Sequence, residues 1–420
     1  MEKKYQEKAE YCLNCKVKPC RTGCPLENSI PDFIREAKEG NMQEAYHILS
    51  QTTVLESICG RICPHEKQCQ SKCVRGIKGE PVSIGELEAY IGDTAIRENY
   101  PMEMEEKKEG KIAVIGAGPA GLTCSAFLTR KGYSVTIFEK YEELGGILAH
   151  GIPAFRLDPE VRRSTIQKIL DLGMEVKTKQ ELGKDFTISD LEKNYDAVFL
   201  GIGANISSKM GIEGEELDGV YGGNELLEFG NHPNYQGKKV AVIGGGNVAM
   251  DTARTIKRMG AKEVTIIYRR AEEQMPAERK EIREAKEEGV QFLFTTNITK
   301  ILGKESVERV ECIKTELVQK EGETRLSPVN IEGSNYEIDM DYVVMALGSK
   351  PEEAVTKELG ITLNRKGGIQ IDEQGRTSKE NIFAGGDIAS NKGTIAWAAR
   401  AGRDAAFAID QYLTEKRKKR

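Results

Sequence analysis

Two glycine-rich turns stand 128 residues apart and carry the same surroundings with them. The first follows the apolar run KIAVIG (111–116) and reads Gly116-Ala117-Gly118-Pro119-Ala120-Gly121; a helical pattern and the run SVTIFE (134–139) come next. The second follows KKVAVIG (238–244) and leads through a helical pattern to EVTIIYRR (263–270), so that Gly116 maps on Gly244 and Gly132 on Gly260. A short apolar run that ends in glycine and opens a helix before a second run is a βαβ unit of a parallel sheet. A further echo pairs DAVFLGIGA (196–204) with DYVVMALGS (341–349), each ending at a glycine, Gly203 and Gly348. The chain of 420 residues is therefore expected to be α/β, with two Rossmann-like dinucleotide-binding domains. The segment FAGGDIA (383–389) and a helix from Thr394 to about Leu413 are expected to return and complete the first.

In the first turn Gly116 permits the bend, Gly118 lets backbone approach a pyrophosphate, and Gly121 allows the helix to pack on the strand. The free N–H groups of the helix start face the negative charge. Glu139, at the end of the next strand, is placed to accept from ribose hydroxyls. Gly145-Gly146 just beyond it and Gly385-Gly386-Asp387 near the C-terminus favour FAD, a long cofactor that needs a second anchoring strand. In the second turn, Gly244-Gly245-Gly246-Asn247-Val248-Ala249, alanine replaces the third glycine. Tyr268 stands where Glu139 stands in the first, and Arg269-Arg270 follow. No carboxylate repels a 2′-phosphate there, and two guanidiniums offer it charge-assisted bonds, so NADP(H) is expected over NAD(H).

Ahead of both turns lies a cysteine cluster. Eight of ten cysteines fall between Cys12 and Cys73, spaced Cys12-x2-Cys15-x4-Cys20-x3-Cys24-Pro25 and Cys59-x3-Cys63-Pro64-x4-Cys69-x3-Cys73. Thiolates converging from short loops are what iron–sulfur cubanes need, and a cysteine before proline serves the other cluster in bacterial ferredoxins. Eight cysteines suffice for two [4Fe–4S] clusters; structural zinc is the alternative, though only His65 and His47 are near. This head is expected to be α-helical, with Pro31 opening a helix whose apolar face is Phe33, Ile34 and Ala37, Gly40-Asn41 stopping it, and a second helix turning Ala45, Ile48 and Leu49 inward. The polar stretch 101–110 reads as a linker.

Composition closes off other classes. With 61 basic and 66 acidic side chains, interspersed, there is no nucleic-acid footprint. No apolar run approaches a membrane span, and MEKKYQEKAE is no signal peptide, so the expected location is the cytoplasm. Cys124 and Cys312 are solitary, which disfavours a disulfide-reductase pair, and no Ser–His–Asp grouping or HExxH stands out. The basic tail Lys416–Arg420 reads as a frayed helix end.

Taken in order, the cysteine-rich head, VIGAGPAGL, FEKYEELGG, GIPAFRL, VIGGGNVAMD, YRRAEEQMPA, ALGSKP, FAGGD and AGRDAA resemble the glutamate synthase small (β) subunit family over nearly the whole chain. Its relatives include the N-terminal half of dihydropyrimidine dehydrogenase, the dihydropyrimidine dehydrogenase reductase subunit and the large subunit of ferredoxin:NADP transhydrogenases. The resemblance implies one cluster on Cys12, Cys15, Cys20 and Cys73 and another on Cys24, Cys63, Cys69 and Glu88 of IGELEAY, leaving Cys59 a bystander; composition alone would make Cys59 the eighth ligand. It implies FAD on Gly116, Ala117, Gly118, Pro119, Ala120 and Gly121, on Glu139, Lys140, Gly146, Ile147 and Arg156, and on Gly386, Asp387, Thr394, Ile395 and Ala396. It implies the nicotinamide nucleotide on Gly245, Gly246, Asn247, Val248, Arg269, Arg270 and Ala346 to Gly348. Relatives often carry an aromatic or basic pair before GIP, where this chain has Ala149-His150.

The expected organisation is a cluster-bearing head (1–105), an FAD domain in two pieces (110–230 and 346–420) and an inserted NADP(H) domain (231–345). The expected activity is hydride transfer from NADPH to FAD and single-electron transfer through the clusters. The acceptor is expected on a separate catalytic or electron-accepting subunit, with ferredoxin a further candidate, because the chain has no room for a substrate-transforming domain. The alternatives within the family are a dihydropyrimidine dehydrogenase reductase subunit or a ferredoxin:NADP transhydrogenase subunit. A non-enzymatic redox-sensing subunit is disfavoured by the intact second turn.

Overall fold

The protein was analysed as a computed structural model that describes residues 1–319, 326–389 and 392–418. Lys419 and Arg420 of the basic tail lie outside the described residues. The chain divides into two compact units, one formed by Met1–Ala204 with Pro351–Arg420 and the other by Asn205–Lys350.

In the first unit five parallel strands stand in the order Ile382–Ala384, Ala197–Leu200, Lys111–Ile115, Ser134–Phe138, Glu175–Lys177. The C-terminal return is thus made by Ile382–Ala384, which pairs in register with Val198, Phe199 and Leu200. The central strands are buried along almost their whole length, as strands covered on both faces must be. On one face the helix Pro119–Arg130 packs against Ile395–Lys418, and Gly402 is what lets them meet: a Cβ there would stand 2.1 Å from the Ala120 carbonyl oxygen.

In the second unit five parallel strands stand in the order Val220–Gly222, Tyr342–Met345, Lys239–Ile243, Glu263–Tyr268, Gln291–Phe294. Ala197–Leu200 and Tyr342–Met345, the two halves of the second sequence echo, each flank the strand that leads into a glycine turn. An antiparallel sheet, Thr296–Leu302, Arg309–Val318, Ser327–Asn330 and Tyr336–Asp339, completes this unit.

The cysteine-rich head belongs to the first unit and is helical. Ile30–Lys38 begins one residue before Pro31, and Met42–Ser50 follows the Gly40-Asn41 break. Phe33, Ile34, Ala37, Ala45 and Leu49 are buried in one apolar cluster, with Ile48 packed at its edge. Residues 101–110 hold no helix or strand, yet they do not swing free. Glu105 donates its N–H to the Arg130 carbonyl at 2.6 Å and Lys108 to that of Gly132 at 2.9 Å.

The closest helix packing in the head joins Glu56–Ile62 to Ile84–Arg97, and glycines make it possible. A Cβ on Gly60 would lie 2.5 Å from the Ala89 nitrogen and the Gly85 oxygen, and one on Gly92 would lie 2.6 Å from Ser57 Oγ. Gly85 and Gly92 lie on the face of their helix that carries Glu88. The contact they permit brings Glu88 toward Cys59.

Candidate functional site

Cys12, Cys15, Cys20 and Cys73 line one cavity, closed by Leu13, Pro19, Ile30, Ile34, Val74, Val82 and Ile84. Cys20 and Cys73 stand 53 positions apart, and their meeting depends on the head's fold, with the short helix Pro19–Gly23 bringing Cys20 in. Burial pushes the Cys20 thiol up to about 11, with Cys12 and Cys73 adding to it, and raises that of Cys12. The Val82 N–H donates to Cys73 Sγ at 3.4 Å, as backbone donors do to thiolates.

Cys24, Cys63 and Cys69 form the second group, with Cys59 and Glu88 beside them. Burial pushes Cys24 up to about 12, and the neighbouring Glu88 carboxylate and Cys63 push the same way. Cys69 is raised well above its ordinary range by burial, Glu88, Cys24 and Cys63. Cys59 differs: its hydrogen bond with Cys63 is the largest single influence and lowers its thiol, and burial together with the charges of Glu88, Cys24 and Glu56 outweighs that bond and leaves the thiol raised. Glu88 is buried, and desolvation lifts its carboxyl to about 8, with Glu56 adding to the rise and the bond from Asn28 opposing it. Asn28 Nδ2 donates to Glu88 Oε1 at 3.2 Å.

The first group offers four cysteine sulfurs around one largely apolar cavity, and the second three cysteine sulfurs beside a buried carboxylate. Such donor sets fit iron–sulfur clusters, whose iron would take thiolate in place of thiol. Among the described residues no three such donors converge tightly enough to clasp a single ion. His65, the nearby histidine weighed for zinc, lays its ring on Gly85, where a Cβ would come within 2.4 Å of Nε2.

The head is tied directly to the elements of the first glycine turn. Gln68, next to Cys69, reaches Thr394 with Nε2 to Oγ1 at 3.4 Å. On the helix that follows Thr394, Arg400 donates to the Pro25 carbonyl and to Glu27, and Arg403 to the Leu26 and Thr52 carbonyls. Asn28, Gln68 and Arg400 stand in none of the quoted motifs, and Arg403, although it stands in AGRDAA, was given no role there.

At the first turn Gly116 has φ +94°, and a Cβ would stand 2.6 Å from the Gly201 oxygen; one on Gly121 would strike the Gly116 oxygen at 1.8 Å. A Cβ on Gly118 would meet nothing closer than Gly146 Cα at 3.9 Å, so the ground above the helix start of Pro119 and Ala120 is open. Gly146 in turn (φ +53°) admits no side chain, since a Cβ would lie 2.8 Å from Gly118 Cα. Glu139 is buried, and both its oxygens take backbone N–H bonds, from Ala117 at 2.8 Å and Tyr141 at 3.0 Å. It therefore fixes the turn itself, a role its reading as a ribose acceptor did not include. Lys140 is exposed over the Tyr141 ring, and Ile147 is an exposed apolar side chain close by. His150 of the unusual pair sets its ring against Tyr141 and its Nε2 3.1 Å from the Glu143 oxygen. Arg156 is half-buried on the segment that follows. From the returning strand Gly386 (φ +79°) comes up to Ala120, and burial raises the Asp387 carboxyl against a backbone bond from Gly393. Thr394 Oγ1 accepts from Trp397 N at the start of the last helix, where Ile395 and Ala396 are buried.

The second turn repeats these constraints. A Cβ on Gly244 would meet the Ala346 oxygen at 2.1 Å, and one on Gly245 would enter the Tyr268 ring at 2.6 Å. Tyr268 thus occupies the acid's position as a wall, its hydroxyl donating to the Gln274 carbonyl at 2.9 Å. Gly246 precedes the helix Asn247–Arg258, with nothing nearer its missing Cβ than Pro276 at 4.0 Å, and Val248 is half-exposed beside it. Asn247 exchanges bonds with Glu278, and Ala277 N donates to the Gly245 carbonyl at 3.0 Å. The strap Pro276–Glu278 is a part of the site that the residue-by-residue reading left out, although MPA stood in the motif. Arg269 is exposed with no carboxylate paired to it among the described residues, and Arg270 Nε donates to the Leu326 carbonyl at 3.2 Å. Gly348 (φ +116°) accepts from Ser208 N at 2.9 Å. Cys124 and Cys312 are fully buried in different units, so neither forms a redox pair.

Two parallel-sheet units with glycine turns and a cysteine-lined helical head define a dinucleotide-dependent oxidoreductase. Residues 110–405 match the family described as pyridine nucleotide-disulphide oxidoreductase, and residues 1–100 match dihydropyrimidine dehydrogenase domain II, 4Fe-4S cluster. The glutamate synthase [NADPH] small chain of Escherichia coli (strain K12) is 37% identical over 96% of this chain and 90% of its own length. The NADP(+)-dependent formate dehydrogenase subunit beta of Moorella thermoacetica is 35% identical over 94% of this chain and 60% of its own. The solved structure of Mycobacterium tuberculosis FprA in complex with NADPH shares the fold, with a TM-score of 0.68 at 20% identity over 74% of this chain and 86% of that one. The chain belongs to the glutamate synthase small-chain family of oxidoreductases. Its family models carry FAD-type, pyridine-nucleotide and 4Fe–4S binding, and among the described residues no helix is long and apolar enough to cross a membrane.

Proposed function

We propose that the protein is an electron-entry subunit in which NADPH is oxidised by hydride transfer to FAD, and single electrons leave through two [4Fe–4S] clusters to a partner subunit. The observation that carries this is the sorting of the head's donors into two groups, Cys12, Cys15, Cys20 and Cys73 around one cavity and Cys24, Cys63 and Cys69 beside Glu88. The second group is the one joined, through Gln68, to Thr394 of the FAD-side helix.

In this reading the first unit beyond its head holds FAD and the second unit, Asn205–Lys350, holds the nicotinamide nucleotide. The Gly118 and Gly246 turns offer backbone N–H groups to the pyrophosphates. Asp387 holds the ribityl or phosphate end, and Arg269 with Arg270 selects the 2′-phosphate. The glycines and the Tyr268 wall fix backbone positions before any ligand arrives, so binding does not have to order them. The chain's own residues bind, orient and exclude water; the redox chemistry is the cofactors'. The relatives named as small or beta chains work beside other subunits, which supports a separate acceptor here.

The test is anaerobic titration of the purified protein with NADPH. Flavin bleaching followed by loss of cluster absorbance, with about eight iron and eight acid-labile sulfide per chain, is expected. A protein without flavin absorbance and without sulfide, or one that NADPH does not bleach, overturns the reading.

A further inference from the structure

The segments that carry the first thiol group expose apolar side chains to solvent. Four apolar side chains in the segments that carry its cysteines face solvent: Leu13 is 50% exposed, Val17 89%, Val74 39% and Ile77 76%. Leu13 and Val74 also line the cavity of Cys12, Cys15, Cys20 and Cys73, so patch and thiols are two sides of one wall. Isolated exposed apolar residues are ordinary; four within two short segments that bear one set of cysteines mark a contact surface.

The charge around them is one-sided. Residues 11–26 and 67–79 contain seven cations and no carboxylate, in a chain where acids outnumber bases by 66 to 61. Lys16, Arg21, Lys72 and Lys78 are exposed and make no ion pair among the described residues. Lys18 is spent on Asp32, and Arg75 donates to the Tyr11 carbonyl and lies over its ring. The nearest acids along the chain are Glu10, held by Gln6, and the exposed Glu27, Glu66 and Glu80, all outside the two segments. Two segments from opposite ends of the head are joined here, since a Cβ on Gly23 would lie 2.9 Å from Lys72 Cγ and Gly79 lies beside the Tyr11 hydroxyl.

We propose that this face docks a partner with an acidic surface around its own one-electron centre. The Leu13, Val17, Val74 and Ile77 patch would be the dry centre of the contact, and Lys16, Arg21, Lys72 and Lys78 its steering rim. The proposal deepens the electron-exit reading and rests on it for direction: the Cys24 group is tied to the flavin side, and the Cys12 group is the one with an apolar wall to solvent.

The test uses the holoprotein and an acidic [2Fe–2S] ferredoxin as probe, with binding read by fluorescence anisotropy. Wild type should bind, and binding should weaken at least about tenfold between roughly 20 and 300 mM salt. The Lys16→Glu/Lys72→Glu/Lys78→Glu variant should lose about tenfold or more at low salt and most of the salt dependence. Val17→Ser/Ile77→Ser should weaken binding several-fold with the salt dependence kept. NADPH:menadione reduction and iron content should match wild type in all, and a Lys→Gln triple replaces the reversal if that variant loses iron. Equal ferredoxin affinity in wild type and both variants overturns the proposal. So does association with phosphatidylserine vesicles or self-association at this face in place of ferredoxin binding. Because binding is read without turnover, failure of NADPH to bleach the flavin strikes the parent reading alone.

Discussion

Asn28 Nδ2 donates to Glu88 Oε1 at 3.2 Å, and Thr52 holds the other end of the same amide, donating to Asn28 Oδ1 at 2.7 Å. The pair leaves Glu88 aimed among Cys24, Cys63 and Cys69, whereas Cys59 is engaged with Cys63. Glu88→Ala should therefore lose about half of the iron and sulfide, the share of one of two clusters. Cys59→Ala should keep all of it. Metal analysis of both variants decides between them; full iron in Glu88→Ala and half in Cys59→Ala would reverse the ligand assignment.

Gly402 sets the distance between the last helix and the helix of the first glycine turn. A Cβ there stands 2.1 Å from the Ala120 oxygen and 3.1 Å from the Cys124 nitrogen, both backbone atoms that cannot yield without moving the turn. Gly402→Val should destabilise the first unit by about 1–3 kcal/mol and lower FAD occupancy, measured as the flavin-to-protein absorbance ratio after gel filtration. Wild-type flavin content and thermal midpoint would show that the two helices have slack here.

Much of this was readable beforehand because the constraint is local. A glycine at Gly116 or Gly244 is demanded by a backbone oxygen one strand away, at Gly201 and Ala346, and the repeat of that demand produced the 128-residue spacing. The apolar strands and the head helices Ile30–Lys38 and Met42–Ser50 follow from period and, for the helices, from Pro31 and the Gly40-Asn41 break. The roles of Asn28, Gln68, Arg400 and Arg403 were not readable, because each acts on a group between 24 and 377 residues away. Glu139 shows the limit from the other side: its position was legible, but its bond to Ala117 N is seen only once strand and turn are folded together.

Arg269 is exposed at the end of its strand with no carboxylate among the described residues to occupy it. If it binds the 2′-phosphate, Arg269→Ala removes charge-assisted bonds of about 1.5–3 kcal/mol, so the NADPH KM should rise roughly 10- to 100-fold. The NADH KM should stay within about twofold, since NADH offers no group to lose. Steady-state kinetics with both nucleotides decide it. An unchanged NADPH-to-NADH ratio would remove Arg269 from the site and leave Arg270 to be tested alone.

Glu56 sits buried at the start of the helix that meets Ile84–Arg97, and among the described residues its Oε1 has no hydrogen-bond partner; neither has the Tyr46 hydroxyl or Ser57 Oγ. The cations that could balance it are committed elsewhere, Lys168 to the Tyr100 carbonyl at 2.6 Å and Arg130 to the Ser50 and Glu103 carbonyls. Burial therefore dominates and pushes its carboxyl up to about 7 from 4.5, with its own backbone N–H, Lys168 and Arg130 opposing. The folded form holds its proton more tightly than the unfolded form. The carboxyl is therefore accommodated fully below about pH 4.5, and stability is lost as the pH rises through 7. Glu56→Gln keeps the shape and removes the ionisation, so near pH 8.5 it should raise stability by about 1–3 kcal/mol. Near pH 5 the difference should shrink to almost nothing, or turn slightly unfavourable. Thermal midpoints of both proteins at the two pH values carry the test; a gain of the same size at both would mean that packing, not the buried charge, separates them.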